Sequence, residues 1–219
     1  MLTPTEENYL KAIYSLSGQE KAVVSTNSVA EAISTSAASA TDMIQKLSKK
    51  KLVTYHRYQG VAPTAAGAKL ALDVIRKHRL WEVFLVQKLK FKWDEVHDVA
   101  EQLEHVDSTM LIEQLDMFLG YPKYDPHGDP IPNANGDMES NPSTTINMLQ
   151  PGDCCRVICA KDSSASFLNY LDKIKISLGA QLQILDYFEY DNSFSVSIES
   201  NPPITLSEKV SENIYIEKL

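Results

Sequence analysis

The sequence predicts a mainly α-helical protein that ends in a small β domain, and three patterns support this fold class. Short amphipathic segments and an alternating β-prone stretch fill residues 3–64. Acidic amphipathic segments then continue to residue 119. After a Pro-, Gly- and Asn-rich stretch over residues 121–150, short apolar segments alternate with polar turns. We expect a winged helix-turn-helix, a helical layer and a small β-barrel, in that order.

The first segment contains three predicted helices and a hairpin. Thr3-Pro4-Thr5-Glu6 is a helix start, in which Thr3 caps and Glu6 completes a capping box. STNSVAEAIS predicts a short second helix, and SAASATDMIQKLSKKK predicts a third after a break at Thr35. KLVTYHRYQGVAPT alternates around Gln59-Gly60, which is typical of a hairpin. This order matches a winged helix-turn-helix, whose recognition helix enters the DNA major groove.

The remaining elements follow the same logic. Thr64 caps a long connecting helix, and further helices are expected over Trp93–Val106 and Ser108–Leu119. The predicted strands are CCRVICA, AQLQILDYFEY, SFSVSIES and NIYIEKL, with a helical piece near SASFLNYLDKI. The predicted division is a DNA-binding domain (1–64), a helical metal-binding and dimerisation domain (65–122), a linker (123–149) and the β-barrel (150–219).

Charge is distributed unevenly along the 219 residues. Residues 1–79 hold 11 Lys+Arg and 6 Asp+Glu, a net charge of +5. Since the whole chain has a net charge of −8, residues 80–219 have a net charge of −13. A basic module facing a polyanion is therefore expected on an acidic body. The three cysteines lack zinc or disulfide spacing and are expected to be reduced. Without a long apolar run, or signal-peptide features in MLTPTEENY, the expected location is the cytoplasm.

The stretch EVHDVAEQLEHV carries an unusual set of acids and histidines. His97, Glu101, Glu104 and His105 would share one side of a helix, and His78 and Glu82 lie four apart upstream. If the two helices pack antiparallel, all six side chains can converge. Imidazole with carboxylate suits Mn²⁺ or Fe²⁺, while Zn²⁺, Co²⁺ and Ni²⁺ can bind in vitro. Taken separately, the upstream pair and the downstream four residues could instead be exposed acids and histidines that form helix salt bridges and bind no metal.

TEENYLKAIYSL, IRKHRLWEVFL, VHDVAEQLEHV and PHGDPIP together resemble the diphtheria-toxin-repressor and manganese-transport-regulator family. The resemblance covers nearly the whole chain. It implies a metal-activated DNA-binding dimer and, as in the longer subfamily, an SH3-like C-terminal barrel. The expected function is a Mn²⁺- or Fe²⁺-dependent repressor of metal-ion homeostasis genes, not an enzyme, with no membrane partner and no small-molecule substrate.

The resemblance also implies two metal sites. His78, Glu82 and His97 match one of them. Glu101, Glu104 and His105 match the other, which takes a further ligand from the first helix at Asn8. Glu7 beside it would contribute only if that helix rotated. Glu101 stands where manganese-type members carry glutamate, and Asp162 is the nearest acid to the position where the barrel supplies ligands in the longer subfamily.

DNA contacts are expected from the recognition helix and the wing. The start of that helix presents Ser36, Ala37, Ala38, Ser39, Thr41 and Asp42. Since none can make a bidentate base contact, specificity would depend on hydroxyls, methyl contacts and DNA shape. The expected phosphate contacts are Lys46, Lys49, Lys50, Lys51 and Arg57. A merely solvated basic helix end is the alternative interpretation of the lysines.

The expected switch is metal-dependent. A divalent ion would convert repulsion among the clustered carboxylates into crosslinks between helices, and so fix the spacing of two winged modules in a dimer. Apolar residues Met110, Leu111, Leu115 and Phe118 are expected at the dimer contact. Two alternatives stay open: a dinuclear metal hydrolase, and a winged-helix regulator that needs no metal.

Overall fold

The computed structural model describes residues 2–18, 21–57, 59–92, 95–140, 143–162, 164–199 and 201–219. It divides into two compact units. The first comprises Met1–His78, Leu103–Asp107 and Pro132–Asp137, and the second comprises Arg79–Gln102, Ser108–Ile131 and Met138–Leu219. Among the described residues, no helix combines the length and apolar character needed to cross a lipid bilayer. The four predicted domains do not coincide with these units, and that division stays a prediction.

The first unit contains the expected winged helix-turn-helix. Its helices are α1 (Pro4–Ser17), α2 (Thr26–Ala32) and α3 (Ala37–Lys49), and its hairpin strands are β1 (Val53–His56) and β2 (Gly60–Pro63). The predicted capping box of α1 is present: the Thr3 hydroxyl accepts from the Glu6 amide, and the Glu6 carboxylate accepts from the Thr3 amide at 2.9 Å. The core of this unit includes the fully buried side chains Leu10, Ile13, Ile44 and Leu47.

Helix α4 (Ala65–Gln87) begins directly after the hairpin, as predicted. The Thr64 hydroxyl accepts from the Gly67 amide at 3.1 Å and donates to the Leu52 carbonyl at 3.0 Å, which ties the helix start to the wing. A Cβ at position 67 would lie 1.9 Å from that carbonyl oxygen, so the close approach requires glycine. Farther along α4, Ala71 packs into the core of the first unit.

The second unit contains α5 (Val96–Leu103) and α6 (Thr109–Phe118). The core here is built from Leu80 and Val83 of α4, Ile112 and Leu115 of α6, and Ile131. Leu115, expected at a dimer contact, is therefore a core residue with 6% exposure. Its predicted partners at that contact, Met110, Leu111 and Phe118, are exposed by 74%, 41% and 61%.

Helix α5 is shorter than expected. The predicted start at Trp93 lies outside the described residues, and the helix ends at Leu103 instead of Val106. The Val106 amide donates to the Leu103 carbonyl in a turn, and Ser108 then caps α6. Glu104 and His105 consequently lie in the turn after α5, because the chain must leave the helix before α6 begins.

The C-terminal domain is an antiparallel sheet of five strands in the order β6-β5-β4-β3-β7. The strands are β3 (Cys154–Ala160), β4 (Gln181–Phe188), β5 (Ser193–Ile198), β6 (Ile204–Leu206) and β7 (Ile214–Lys218), with α7 (Ala165–Lys173), α8 (Glu208–Ser211) and a 3₁₀ helix (Ile146–Met148) alongside. Alternate residues such as Cys155, Val157, Leu182 and Ile184 are buried. The predicted fold class is confirmed, with β6 and α8 added to the predicted elements.

Candidate metal centre and DNA-binding surface

Glu104 is the most buried of the predicted metal ligands. Its carboxylate is fully buried, and the Lys11 ammonium donates to both oxygens, at 2.6 and 2.8 Å. His78 Nδ1 lies 2.6 Å from Oε2 of the same carboxylate. Burial alone would raise the pKa of Glu104, but the hydrogen bonds from His78 and Lys11 outweigh burial and lower it. The side chain is therefore a carboxylate held by two positively charged or proton-bearing groups.

The first helix carries two further oxygen-bearing candidates in the first unit, Glu7 and Asn8. His105 Nδ1 lies 2.6 Å from Glu7 Oε2, and His105 Nε2 lies 3.8 Å from Glu104 Oε1. Glu7 thus contacts His105 in this structure, while its role as a metal ligand stays a prediction. Asn8 Oδ1 is buried and has no hydrogen-bond partner among the residues that the structure describes. A buried carbonyl oxygen without a hydrogen-bond partner could be satisfied by acting as a ligand to a metal ion.

The second unit brings Glu82 and His97 together. Glu82 is 2% exposed, and its Oε1 lies 3.5 Å from His97 Nδ1. His97 Nε2 lies 3.6 Å from Glu101 Oε1, one turn away on α5. His78 precedes Glu82 by one turn of α4. Glu101, which the resemblance placed with Glu104 and His105, thus has His97 as a neighbour in this unit.

Two ligand candidates were missed by the sequence analysis. Asp125 and His127 lie in the loop between α6 and the sheet, and with Glu82 they can place one ligand atom each within 4.8 Å of one another. His127 Nδ1 lies 3.6 Å from Glu82 Oε2. The sequence analysis used the stretch PHGDPIP, which includes His127 and directly follows Asp125, as evidence of family resemblance. It did not consider these side chains as metal ligands.

Asp125 is a buried carboxylate with fixed surroundings. Its Oδ1 accepts from the amides of His127 and Asp129, at 2.8 and 2.9 Å, and its Oδ2 lies 3.5 Å from Arg79 Nε. Burial raises the pKa of Asp125 to about 7, and the charges of Glu82 and Asp129 act in the same direction, while Arg79 and His127 oppose them. Added positive charge beside Asp125 would therefore favour its ionised form.

The start of α3 presents the surface expected to contact DNA bases. Ser36, Ala37, Ala38, Ser39 and Asp42 are exposed, and Thr41 is half-buried. The Ser36 hydroxyl accepts from the Ser39 amide, and the two serine hydroxyls lie 2.9 Å apart. The Thr41 hydroxyl donates to the Ala37 carbonyl at 2.7 Å. These hydroxyls also stabilise the helix start, so they hold the exposed face of α3 in place.

The basic residues at the end of α3 separate into two groups. Lys46 and Lys50 lie 3.2 and 2.7 Å from Glu6 Oε1, so both connect α3 to α1. The hydrogen bond from Lys50, followed by that from the Thr3 amide, lowers the pKa of the buried Glu6 carboxyl to about 2. Lys49, Lys51 and Arg57 are exposed on the same unit. Phosphate contacts by all five stay a prediction.

Comparisons with known proteins match all three parts of the chain. Residues 1–61 match the family described as iron dependent repressor, N-terminal DNA binding domain, and residues 64–133 match its metal binding and dimerisation domain. Residues 144–218 match the FeoA domain.

Individual relatives agree with these matches. The chain is 30% identical over 165 residues to a diphtheria toxin repressor of Corynebacterium jeikeium, which covers 74% of this chain and 68% of that protein. It is 31% identical over 121 residues to the transcriptional regulator MntR of Bacillus subtilis, covering 55% of this chain and 84% of that one. Among solved structures, a manganese-dependent transcriptional repressor in complex with manganese has 37% identity and a TM-score of 0.63, over 98% of this chain and all of the other. The manganese regulator SloR has 33% identity and a TM-score of 0.59 over the whole of both chains.

Proposed function

Because this chain belongs to the iron-dependent repressor family, we propose that it is a transcriptional repressor that binds double-stranded operator DNA as a homodimer when a divalent transition metal is bound. Mn²⁺ and Fe²⁺ are the proposed ions, and the proposed targets are genes of metal-ion homeostasis. The family consists of DNA-binding regulators, which agrees with the expectation that the chain is not an enzyme. The observation that carries the proposal is the presence of two groups of carboxylates and imidazoles, in which Glu82, Glu104 and His78 are buried, in a chain that also contains a winged helix.

Two groups of residues are proposed to hold metal. Glu104, His105 and Asn8 form the first group, with Glu7 as an additional oxygen donor, and His78, Glu82 and His97 form the second. The unsatisfied Asn8 carbonyl oxygen and the imidazole and carboxylate donors fit a borderline-to-hard divalent ion, and no thiolate takes part. Glu101 is proposed as a further oxygen donor. When bound, the ion supplies positive charge that neutralises the carboxylates and links the elements that carry them.

Helix α1 is proposed to connect the metal cluster to the recognition helix. Glu7 contacts His105 of the first group, whereas the preceding residue, Glu6, forms ion pairs with Lys46 and Lys50 of α3. A change in the position of α1 would therefore be transmitted to α3 through the buried Glu6 carboxylate and its two exposed lysine partners. Separation would be costly on the side of Glu6, because its buried carboxylate would lose the charges that compensate it.

The DNA contact is proposed to combine the exposed start of α3 with surrounding positive charge. Ser36, Ser39 and Asp42 would face base edges, and Lys49 and Arg57 would face phosphates. For the dimer, the exposed apolar residues Met110 and Phe118 of α6 are the proposed contact. Affinity that depends on phosphate contacts falls steeply with salt concentration.

The proposal is tested by a mobility-shift titration with operator DNA in the presence of Mn²⁺, anaerobic Fe²⁺, Zn²⁺ or a chelator. Metal should tighten binding by the parent protein, and Glu104→Ala or His105→Ala should abolish that stimulation while the dimer stays intact. Glu189→Ala, which removes an exposed acid in a turn of the sheet domain, is the matched control. Equal binding with metal and with chelator would overturn the proposal and favour the metal-independent alternative.

A further inference from the structure

Glu6 connects the first helix to two lysines at the end of α3. One oxygen of its carboxylate, Oε1, lies 2.7 Å from Lys50 Nζ and 3.2 Å from Lys46 Nζ, so it faces both ammonium groups. The other oxygen, Oε2, accepts from the Thr3 amide at 2.9 Å. The side chain of Glu6 is 1% exposed. Its charge is therefore compensated by these neighbours and hardly at all by water.

The two lysines, in contrast, lie at the surface. The side chain of Lys46 is 54% exposed and that of Lys50 is 39% exposed. Lys46 belongs to the last turn of α3 and Lys50 is the cap residue after it, so the two lie on one side of the helix, one turn apart. Lysines in such a position can each neutralise one DNA phosphate and release its counterion. Exposure alone would therefore count both of them among the phosphate contacts.

The ion pairs with Glu6 oppose that use of the lysines. An ammonium group that moved onto a phosphate would leave a buried carboxylate with less compensation, which is unfavourable. If both ammonium groups stayed in place, an approaching phosphate would share them with the carboxylate. The three side chains together carry a charge of +1, whereas two unpaired lysines would carry +2. In either case the phosphates are neutralised less completely than the number of lysines suggests.

We propose that Glu6 limits the DNA affinity of the recognition helix by withholding Lys46 and Lys50 from DNA phosphates. This inference rests on the proposed function, because it requires α3 to approach a duplex. In the described part of the chain, the ion pairs of Glu6 involve these two lysines, and the exposed Lys49 between them remains available to a phosphate. A weaker sequence-independent attraction leaves more of the binding to be decided by metal and by base contacts.

The variant that tests this inference is Glu6→Gln in the full-length protein. Glutamine removes the negative charge but can keep the capping box, since either residue can accept from the Thr3 amide. Affinity for a random-sequence duplex is measured by fluorescence anisotropy between about 50 and 200 mM salt, in Mn²⁺ and again in chelator. The slope of log affinity against log salt should become steeper by about 0.9 for each lysine that gains a phosphate. With both lysines released, the variant should lose roughly tenfold more affinity than the parent over that range of salt.

Two controls separate this effect from a change in net charge. Glu31→Gln removes the same charge from an exposed acid on α2, and it should leave the slope unchanged. Lys50→Met should leave the slope of the parent unchanged, because this lysine is withheld there. In the Glu6→Gln protein the same substitution should make the slope shallower by about one, which completes a double-mutant cycle. Thermal unfolding checks that each variant is folded.

Equal slopes for the parent and Glu6→Gln would overturn the inference. A parent slope that Lys50→Met makes shallower by about one would also overturn it, and this result decides if Glu6→Gln does not fold. Failure of the proposed function would instead appear as equal binding in Mn²⁺ and in chelator, or as no binding to any duplex.

Acetylation of the DNA-free protein, followed by mass spectrometry, keeps the inference testable if no duplex binds. The Lys50 amine should react more slowly than that of Lys49 in the parent, because its ammonium group is held by a buried carboxylate. Its rate should rise in Glu6→Gln but not in Glu31→Gln. Equal Lys50 rates in all three proteins would show that Glu6 does not withhold this lysine.

Discussion

Replacing Lys11 by methionine should increase the affinity of the Glu104 cluster for divalent metal. The Lys11 ammonium contacts both Glu104 oxygens, at 2.6 and 2.8 Å, and so competes directly with any other cation. Methionine keeps the length of the side chain but removes its charge. The metal-free protein then loses one of the two partners of a fully buried carboxylate, whereas in a metal-bound protein the ion would replace the lost charge.

The size of the effect follows from the burial of the pair. Removing one partner from a buried ion pair costs about 3 to 5 kcal/mol. Lys11 is 18% exposed and His78 still contacts Glu104, so the lower end applies, about 3 kcal/mol. That free energy destabilises only the metal-free form. Since every 1.4 kcal/mol corresponds to about a tenfold change, affinity should rise by roughly a hundredfold.

The assay is a competition titration of Mn²⁺ between the protein and a fluorescent chelator, together with thermal unfolding of the metal-free proteins. Lys50→Met is the matched control, because it removes a lysine from another buried carboxylate, Glu6, and leaves the Glu104 cluster unchanged. It should lower the unfolding temperature without raising the metal affinity. Unchanged or weaker Mn²⁺ binding by Lys11→Met would refute the reasoning.

Lys49→Ala should weaken DNA binding across sequences and make the slope of log affinity against log salt shallower by about one; an unchanged slope removes this residue from the phosphate contacts. Gly67→Ala should lower the free energy of unfolding by about 1 to 3 kcal/mol, because the added methyl would meet a wing carbonyl, and a denaturant titration that shows no loss would contradict this. Burial raises the thiol pKa of Cys155 to about 11 and of Cys159 to about 12, so native alkylation at neutral pH, read by mass spectrometry, should modify exposed Cys154 first; equal labelling of all three would be inconsistent with the structure.

The elements that the sequence predicted well are those determined locally. The capping box at Thr3 and the Thr64 cap depend on residues a few positions apart, so they are visible in the chain itself. Strand β6 was missed because three residues are too few to show alternation, and it follows two prolines. The early end of α5 was missed because the apolar period continues to Val106 while the chain turns.

The candidate metal ligands were predicted only in part, because local sequence patterns show only some of them. His97 and Glu101 were found because helical spacing displays them, but Asp125 and His127 come from a loop that only tertiary hydrogen bonds hold in place. Periodicity carries no information about such a loop. The pairing of Glu6 with lysines forty or more positions later was likewise invisible in the sequence, although each of these residues was singled out by itself.

The arrangement of α1 limits the sequence changes that the chain can tolerate. Two consecutive residues, Glu6 and Glu7, contact different neighbours, and Lys11, one turn later, contacts Glu104. One inserted residue turns the following part of a helix by about 100° and advances it by about 1.5 Å. An insertion between Glu6 and Glu7 would therefore leave every side chain present but aim the later ones at the wrong neighbours. Helical phase, more than residue identity, is what natural or engineered variants of this first helix must preserve.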